Sequence, residues 1–291
     1  MASAPDHFTR FAAIDWSGAV GARQRGIAVA VCGTDGSPAL VRPGHVWSRG
    51  EVRDWLADAL PSDTLVGLDL GTSLPFADRG AFFPEWDESP NNAKALWALV
   101  DRLCSEDPDF AASSFVVHEQ AARHFRRQGG RVGDLFESGR GRLRVTERAQ
   151  AAAGLNPYSN LNLVGAAQVG KSSLTGMRVL HRLAGKLPVW PFDPLPVHGS
   201  VIVEIYTSLA AMAAGRRKGR AKMRRADELD AALAVIGSPP VGLADPISDH
   251  QSDALLTAAW LRAVAGDDAL WHPQALTPRL AETEGWTFGI A

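Results

Sequence analysis

Acidic residues stand within or at the end of apolar, strand-like segments of the sequence. The segments FAAID and TLVGLD end in Asp15 and Asp69, and SVIVEIY carries Glu204 in its middle. Burying a carboxylate in such a strand is costly unless a metal ion or hydrogen bonds compensate it. A strand-terminal Asp is often only a turn former. Three acids placed in this way nevertheless favour a shared site.

A predicted helix near the C-terminus adds Asp249, His250 and Asp253. Positions 249 and 253 are one helical turn apart, and 250 and 253 share a face, so one helix can supply two ligands. Oxygen-rich sites with at most one imidazole suit Mg²⁺ or Mn²⁺. Two such ions can activate water and stabilise the leaving oxygen in phosphodiester cleavage. Asp249 is also explained as a favourable charge at a helix N-terminus.

The elements predicted around these acids follow the order β-β-β-α-β before an irregular central stretch. Apolar runs predict strands at 11–15, 26–32, 41–47, 64–69, 200–206 and 286–290. Capping-box spacing predicts that helices begin at Ser48 and Ser248, and two further helices are predicted at 92–104 and 171–183. The pattern indicates an α/β fold in one domain, residues 1–291, with residues 71–196 as an insertion.

Seven motifs resemble the bacterial family described as domain of unknown function 429, whose members are predicted nucleases: AIDWSG, GLDLGTSLPF, QVGKSSLTGM, VWPFD, VEIYTSL, DHQSDALLTAAWLR and EGWTFG. The likeness covers nearly the whole chain. It implies an RNase H-like five-stranded mixed sheet flanked by helices, and a metal-dependent nuclease site at Asp15, Asp69, Glu204 and Asp253. The segment from His250 to Asp253 also resembles the terminal-helix motif of RuvC-type resolvases, where the last metal ligands lie. Which of Asp249, His250 and Asp253 is the last ligand stays open.

Two motifs favour a nucleotide-binding protein without nuclease activity. Residues 165–172, GAAQVGKS, fit the P-loop pattern, in which backbone amides hold phosphates and Lys171 reaches the outer oxygens. Only LNLV stands where the preceding strand is expected. Residues 66–73 are similar to the phosphate-binding turn of actin-like ATPases, but Pro75 follows where their hairpin continues. In an intermediate interpretation, Lys171 and Ser172 hold a substrate phosphate beside the acidic site.

Basic residues form a run at 216–225, just after the strand that carries Glu204. Such a run is usually a solvated helix start, but cations at the rim of an acidic site can bind a polyanion. We expect Arg220, Lys222 and Arg224 to contact the phosphates of DNA or RNA. A second candidate is the Arg-rich span that includes Arg140, Arg142, Arg144 and Arg148.

The composition predicts a soluble, globular, cytoplasmic protein, with 46% hydrophobic and 21% charged residues. Residues 1–11 lack the apolar region of a signal peptide, and no run of about 18 apolar residues predicts a membrane span. Cys32 and Cys104 form no CxxC pair, which fits a reducing compartment. The net charge of −2 provides no general attraction to nucleic acid, so binding must depend on local cations.

Overall fold

A computed structural model describes residues 4–164, 169–183, 185–216 and 222–291. Its centre is a six-stranded mixed sheet with the strand order β3-β2-β1-β4-β6-β5. Neighbours β1, β2 and β3 are antiparallel, whereas β4, β6 and β5 run parallel to β1. The strands are β1 (Arg10–Asp15), β2 (Ala28–Gly33), β3 (Ala39–Leu40), β4 (Thr64–Asp69), β5 (Val189–Trp190) and β6 (Val201–Glu204).

The predicted α/β class, with a mixed sheet flanked by helices, is confirmed. The sheet has six strands, whereas the family resemblance implies five. Two of the six, β3 and β5, are only two residues long. The third strand lies at Ala39–Leu40, before the predicted range 41–47, and Arg42, at a φ of 53°, turns the chain away after it. The predicted strand at 286–290 is reduced to a single bridge between Thr287 and Glu204.

Both faces of the sheet are buried. In β1, Ala12 and Ile14 face one hydrophobic core and Ala13 faces the other, as the two-residue repeat of a strand requires. In β4, Val66 and Leu68 likewise face the first core. A strand buried on both faces is a continuous apolar run. This explains why FAAID and TLVGLD are apolar up to their terminal aspartates.

The first core is covered by helices that precede β6, except α5 (Val145–Ala152), whose Val145 and Ala149 pack against the second core. Helix α1 begins at the capping box of Ser48 and Glu51, as predicted, and continues as a π-helical turn at Trp55–Ala59. A 3₁₀ turn lies at Pro108–Phe110. The helices are α1 (Arg49–Asp54), α2 (Ala93–Leu103), α3 (Ser113–Val117), α4 (Glu119–Ala122), α5 (Val145–Ala152) and α6 (Val169–Arg182).

The second core is covered by α9, which lies across β1 and β2. Its predicted start is confirmed, since Ser248 and Gln251 form a capping box there. The helices after β6 are α7 (Thr207–Ala213), α8 (Ala226–Val235), α9 (Asp249–Val264), α10 (Asp268–Trp271) and α11 (Pro278–Thr283). Among the described residues, no helix combines the length and apolar character needed to cross a membrane.

The span 71–196, predicted as an insertion, shares its interior with the sheet. Leu74, Leu96 and Leu174 from this span are buried in one cluster with Ile14 of β1. The span also contributes β5 to the sheet edge. It therefore helps to build the core that positions the strand ends.

Candidate active site

Asp15 and Asp69 end neighbouring parallel strands and are paired in register. Adjacent strands lie about 4.8 Å apart, and residues in register point to the same face. Ala13, two residues before Asp15, faces the core beneath α9, so both aspartates point towards that helix. The structure thus brings these two predicted site residues together.

Helix α9 brings His250 and Asp253 to the same end of the sheet. Nδ1 of His250 lies 2.9 Å from Oδ2 of Asp15, a hydrogen bond that the ring N–H donates to the carboxylate. Asp253 follows one turn later and is close enough for its charge to raise the pKa of Asp69. We call Asp15, Asp69, Asp253 and His250 the acidic cluster.

Burial raises the pKa of all three carboxyl groups in the acidic cluster, and the charges of neighbouring aspartates add to this. Burial is the largest cause for Asp15, opposed by the hydrogen bond from His250. Burial raises the pKa of Asp69 well above its usual value, and the charges of Asp15 and Asp253 add to this. For Asp253, burial and the charges of Asp15 and Asp249 raise the pKa to about 7. A bound cation would relieve this repulsion.

Asp249 is paired with the basic run. Nζ of Lys222 lies 2.7 Å from Oδ2 of Asp249, and a guanidinium nitrogen of Arg224 lies 3.8 Å from the same atom. The hydrogen bond from Lys222 lowers the pKa of Asp249. The charge of Lys222 also offsets a small part of the rise that burial causes in the pKa of Asp15 and of Asp253. The structure therefore places Lys222 and Arg224 at the rim of the acidic cluster.

The donor chemistry of the acidic cluster fits Mg²⁺ or Mn²⁺. Asp15, Asp69 and Asp253 offer oxygen atoms, and His250 adds one imidazole, which is a set that hard divalent cations accept. As the side chains stand, no group of three or more His, Cys, Asp or Glu residues in the described part of the chain is arranged so that it could hold a metal ion. A bound ion would have to draw the carboxylates closer together.

Glu204 points to the opposite face of the sheet from the acidic cluster. It is in register with Leu68, whose side chain lies in the first core. Its carboxylate accepts hydrogen bonds from Arg144 at 2.6 and 2.8 Å, and from the hydroxyls of Thr72 and Thr287, both at 2.7 Å. Although burial alone would raise its pKa, Arg144 lowers it. Its charge is already compensated by Arg144, and its role as a fourth metal ligand stays a prediction.

The predicted second basic patch is wrong for Arg142 and Arg144, because both side chains are buried in ion pairs. Arg144 bridges Glu204 and Glu147, the latter at 2.9 Å, and Arg142 binds Asp78 at 2.7 Å. Glu204 and Asp78 are 60 and 64 positions away from these arginines along the chain. No local pattern could therefore have indicated the pairing.

The loop that follows β1 is held between α1 and α6. Arg49, with 1% of its surface exposed, donates hydrogen bonds to the carbonyl oxygens of Ser17 and Ala19. Gly18 touches the first turn of α6, where a Cβ atom would lie 2.4 Å from the backbone nitrogen of Ser172. Sequence reasoning missed Arg49, because a single arginine at a helix start has the pattern of a solvated side chain.

A cavity of about 420 Å³ opens beside the acidic cluster. Asp69 forms part of its wall, together with the ion pair of Arg144 and Glu204, the loop after β1 and the first turn of α6. Asn160, Tyr158 and Tyr206 add polar groups, and Ser172 also lines it. Its volume is typical of small-molecule sites. We call it the first cavity.

The P-loop-like motif lacks the strand that this motif requires. Gly170, Lys171 and Ser172 belong to the first turns of α6, whereas residues 165–168, like Arg220 of the basic run, lie outside the described residues. In the segment LNLV, Asn162 forms only an isolated bridge with Arg126. The actin-like alternative lacks its hairpin, because no described residue between 70 and 188 lies in a strand.

No family model matches the chain, and neither a curated protein nor a solved structure matches it.

Proposed function

We propose that this chain is a nuclease that hydrolyses phosphodiesters with Mg²⁺ or Mn²⁺ bound at Asp15, Asp69 and Asp253. The observation that carries the proposal is the meeting of three carboxyl groups with raised pKa values, one buried and two half-buried, at one end of the sheet. Perturbed titrating groups of this kind concentrate at functional sites. In open α/β sheets, ligands bind beyond the carboxyl ends of the strands, where these aspartates lie.

The strand arrangement supports an RNase H-like fold for this site. Three antiparallel strands are extended by parallel strands, and the central strand β1 ends in an aspartate. Helix α9 crosses that strand and carries the third acid. This agrees with what the family resemblance implies, although fold alone transmits no activity. The argument for function therefore depends on the acidic cluster itself.

The residues of the site divide into ligands and positioning groups. Asp15, Asp69 and Asp253 would hold the ions, and His250 fixes the orientation of Asp15 through its hydrogen bond. When bound, the ions supply activation of water and neutralisation of the leaving oxygen. Asp249 holds Lys222 beside the cluster, where the ammonium group can meet a phosphate.

The basic run favours a polyanionic substrate. The side chains of Lys222 and Arg224 are each 72% exposed, so most of their surface is available to a ligand. Cations that approach phosphates release counterions, which favours binding to DNA or RNA at low salt. We therefore propose nucleic acid as the substrate.

A metal-dependent thermal shift tests this proposal. Millimolar Mn²⁺ should raise the Tm of the wild-type protein, because it binds only the native state, and EDTA should reverse the shift. Asp69→Asn should lose both the shift and metal-dependent cleavage of oligonucleotides. The exposed Asp87 provides a matched control, since Asp87→Asn should keep both. A wild-type protein without a shift, or full cleavage by Asp69→Asn, would contradict the proposal.

A further inference from the structure

A second cavity, of about 230 Å³, lies on the other side of the loop that follows β1. Gly18 and Ala19 line both this second cavity and the first cavity, so the loop separates the two. The remaining walls come from α3, from residues 127–131 and from α6. A ligand in the second cavity would therefore lie one loop away from the acidic cluster.

Among the described residues, every charged side chain that lines the second cavity is a cation. These side chains are Arg49, Arg127, Arg131 and Lys171. Arg49 is buried, and its guanidinium binds the carbonyl oxygens of Ser17, Ala19 and Asp109 instead of a carboxylate. A buried cation without a carboxylate partner leaves a positive potential in the cavity.

The arginines at the rim of the second cavity have unused binding capacity. Arg127, Arg131 and Lys171 form no ion pair within the described ranges, and Nε of Arg127 is buried with no hydrogen-bond acceptor there. A buried donor without an acceptor is costly, and a ligand oxygen would remove that cost. The site therefore favours an anion.

Apolar groups complete the second cavity. Val20 and Val117 line it with 93% and 63% of their surfaces exposed, and Ala112 and Leu174 lie beside them. Exposed apolar surface next to unpaired cations matches a ligand that is part apolar and part anionic. A nucleotide, with a flat base and a phosphate, has both parts.

We propose that the second cavity binds one nucleotide of a single-stranded nucleic acid, with the base on Val20 and Val117 and the phosphate at Arg127 and Arg131. This inference rests on the proposed function, because it assigns the substrate strand a path from the second cavity over the loop to Asp69. A base in a duplex is paired and stacked, so it cannot enter a cavity without leaving the helix. The cavity therefore selects single strands.

The test measures binding in EDTA, where the proposed metal site takes no part. Fluorescence anisotropy with labelled single-stranded and duplex DNA and RNA should show tighter binding of the single strands. The double variant Arg127→Gln with Arg131→Gln should bind them at least tenfold more weakly. It should also flatten the plot of log K against log salt by about 0.7, the contribution of the one phosphate that the two arginines hold on a single strand.

Two further variants test whether the loss of binding is specific to the second cavity and whether its apolar wall takes part. The pair Lys186→Gln with Arg279→Gln removes the same charge from exposed cations outside both cavities, and it should keep the wild-type affinity and slope. Val117→Asp places an anion on exposed apolar surface, so it should fold normally and weaken single-strand binding.

The outcomes separate this inference from the proposed nuclease activity. Wild-type affinity and slope in the arginine double variant would overturn the second binding site, as would equal binding of duplexes and single strands. A wild-type protein that binds phosphopeptides but no oligonucleotide would overturn it as well. A protein that shows no Mn²⁺ shift but loses single-strand binding in the double variant would refute the nuclease proposal and support the nucleotide site.

Discussion

Asp69 and Glu204 are carboxylates of adjacent strands, and they differ in what balances their charge. Glu204 has the guanidinium of Arg144 at 2.6 Å, and its pKa is lowered. Within the described part of the chain, Asp69 has only the backbone N–H and hydroxyl of Thr207 as donors, each at 3.3 Å, and its pKa is raised. The charge of Glu204 is therefore satisfied inside the protein, whereas Asp69 retains a deficit that a cation would fill.

Glu204→Gln should lower the free energy of unfolding by about 3 kcal/mol without removing the Mn²⁺ thermal shift. Truncating one member of a buried ion pair costs about 3 to 5 kcal/mol, and Glu147 continues to compensate Arg144 here. Urea unfolding measures the loss, and Tm with and without Mn²⁺ measures binding. Asp69→Asn should show the converse pattern. If Glu204→Gln folds normally and loses the shift, Glu204 is a ligand after all.

For the helices and strands, the sequence predicts features that depend on local residue patterns. It misses features that depend on which distant segments of the chain pair with each other. The apolar strands and the helix starts at Ser48 and Ser248 follow from periodicity and capping, and they are confirmed. The direction in which Glu204 points depends on its register with β4, which no local pattern encodes. The same holds for Arg49, whose hydrogen-bond acceptors lie 30 or more positions away along the chain.

The loop after β1 packs tightly against the backbone of helix α6 at Gly18. Gly18→Ala should reduce stability by about 1 to 3 kcal/mol, the usual cost of overpacking, because the new Cβ would lie 2.4 and 2.5 Å from backbone atoms of Ser172 and Lys171. The control is Gly266→Ala, since a Cβ there meets no atom within 4 Å. Thermal and urea unfolding of both variants measure the difference. Equal stability of the two would show that the loop moves freely away from α6.

At the scale of the whole molecule, the two hydrophobic cores fix the site from both sides of the sheet. Leu68, which is in register with Glu204, lies in the first core, and Ala13, two residues before Asp15, lies in the second core beneath α9. The strand ends that carry Asp15 and Asp69 are therefore anchored in packed interior, with Asp15 buried and Asp69 and Asp253 half-buried. The repulsion between these carboxylates should therefore lower the free energy of unfolding of the whole protein as pH rises and they ionise.

The pH dependence of stability tests this coupling through Asp253. Its pKa is about 7 in the folded state and 3.8 ordinarily. Between these values the folded state binds more protons than the unfolded state, so the contribution of Asp253 falls as pH rises. In EDTA, Asp253→Asn should therefore gain stability relative to wild type between about pH 4 and 8, by up to about 4 kcal/mol at about 1.4 kcal/mol per pKa unit.

Mn²⁺ should reverse this trend in the wild-type protein, because ions and protons compete for the same carboxylates. The stabilisation by Mn²⁺ should be larger at about pH 8 than at about pH 5, and Asp253→Asn should show a smaller effect at both. Urea unfolding across this range, with the exposed Asp87→Asn as a control that follows wild type, measures both differences. A stability difference between Asp253→Asn and wild type that does not change with pH would mean that Asp253 ionises freely, and the repulsion at the centre of the proposed metal site would be absent.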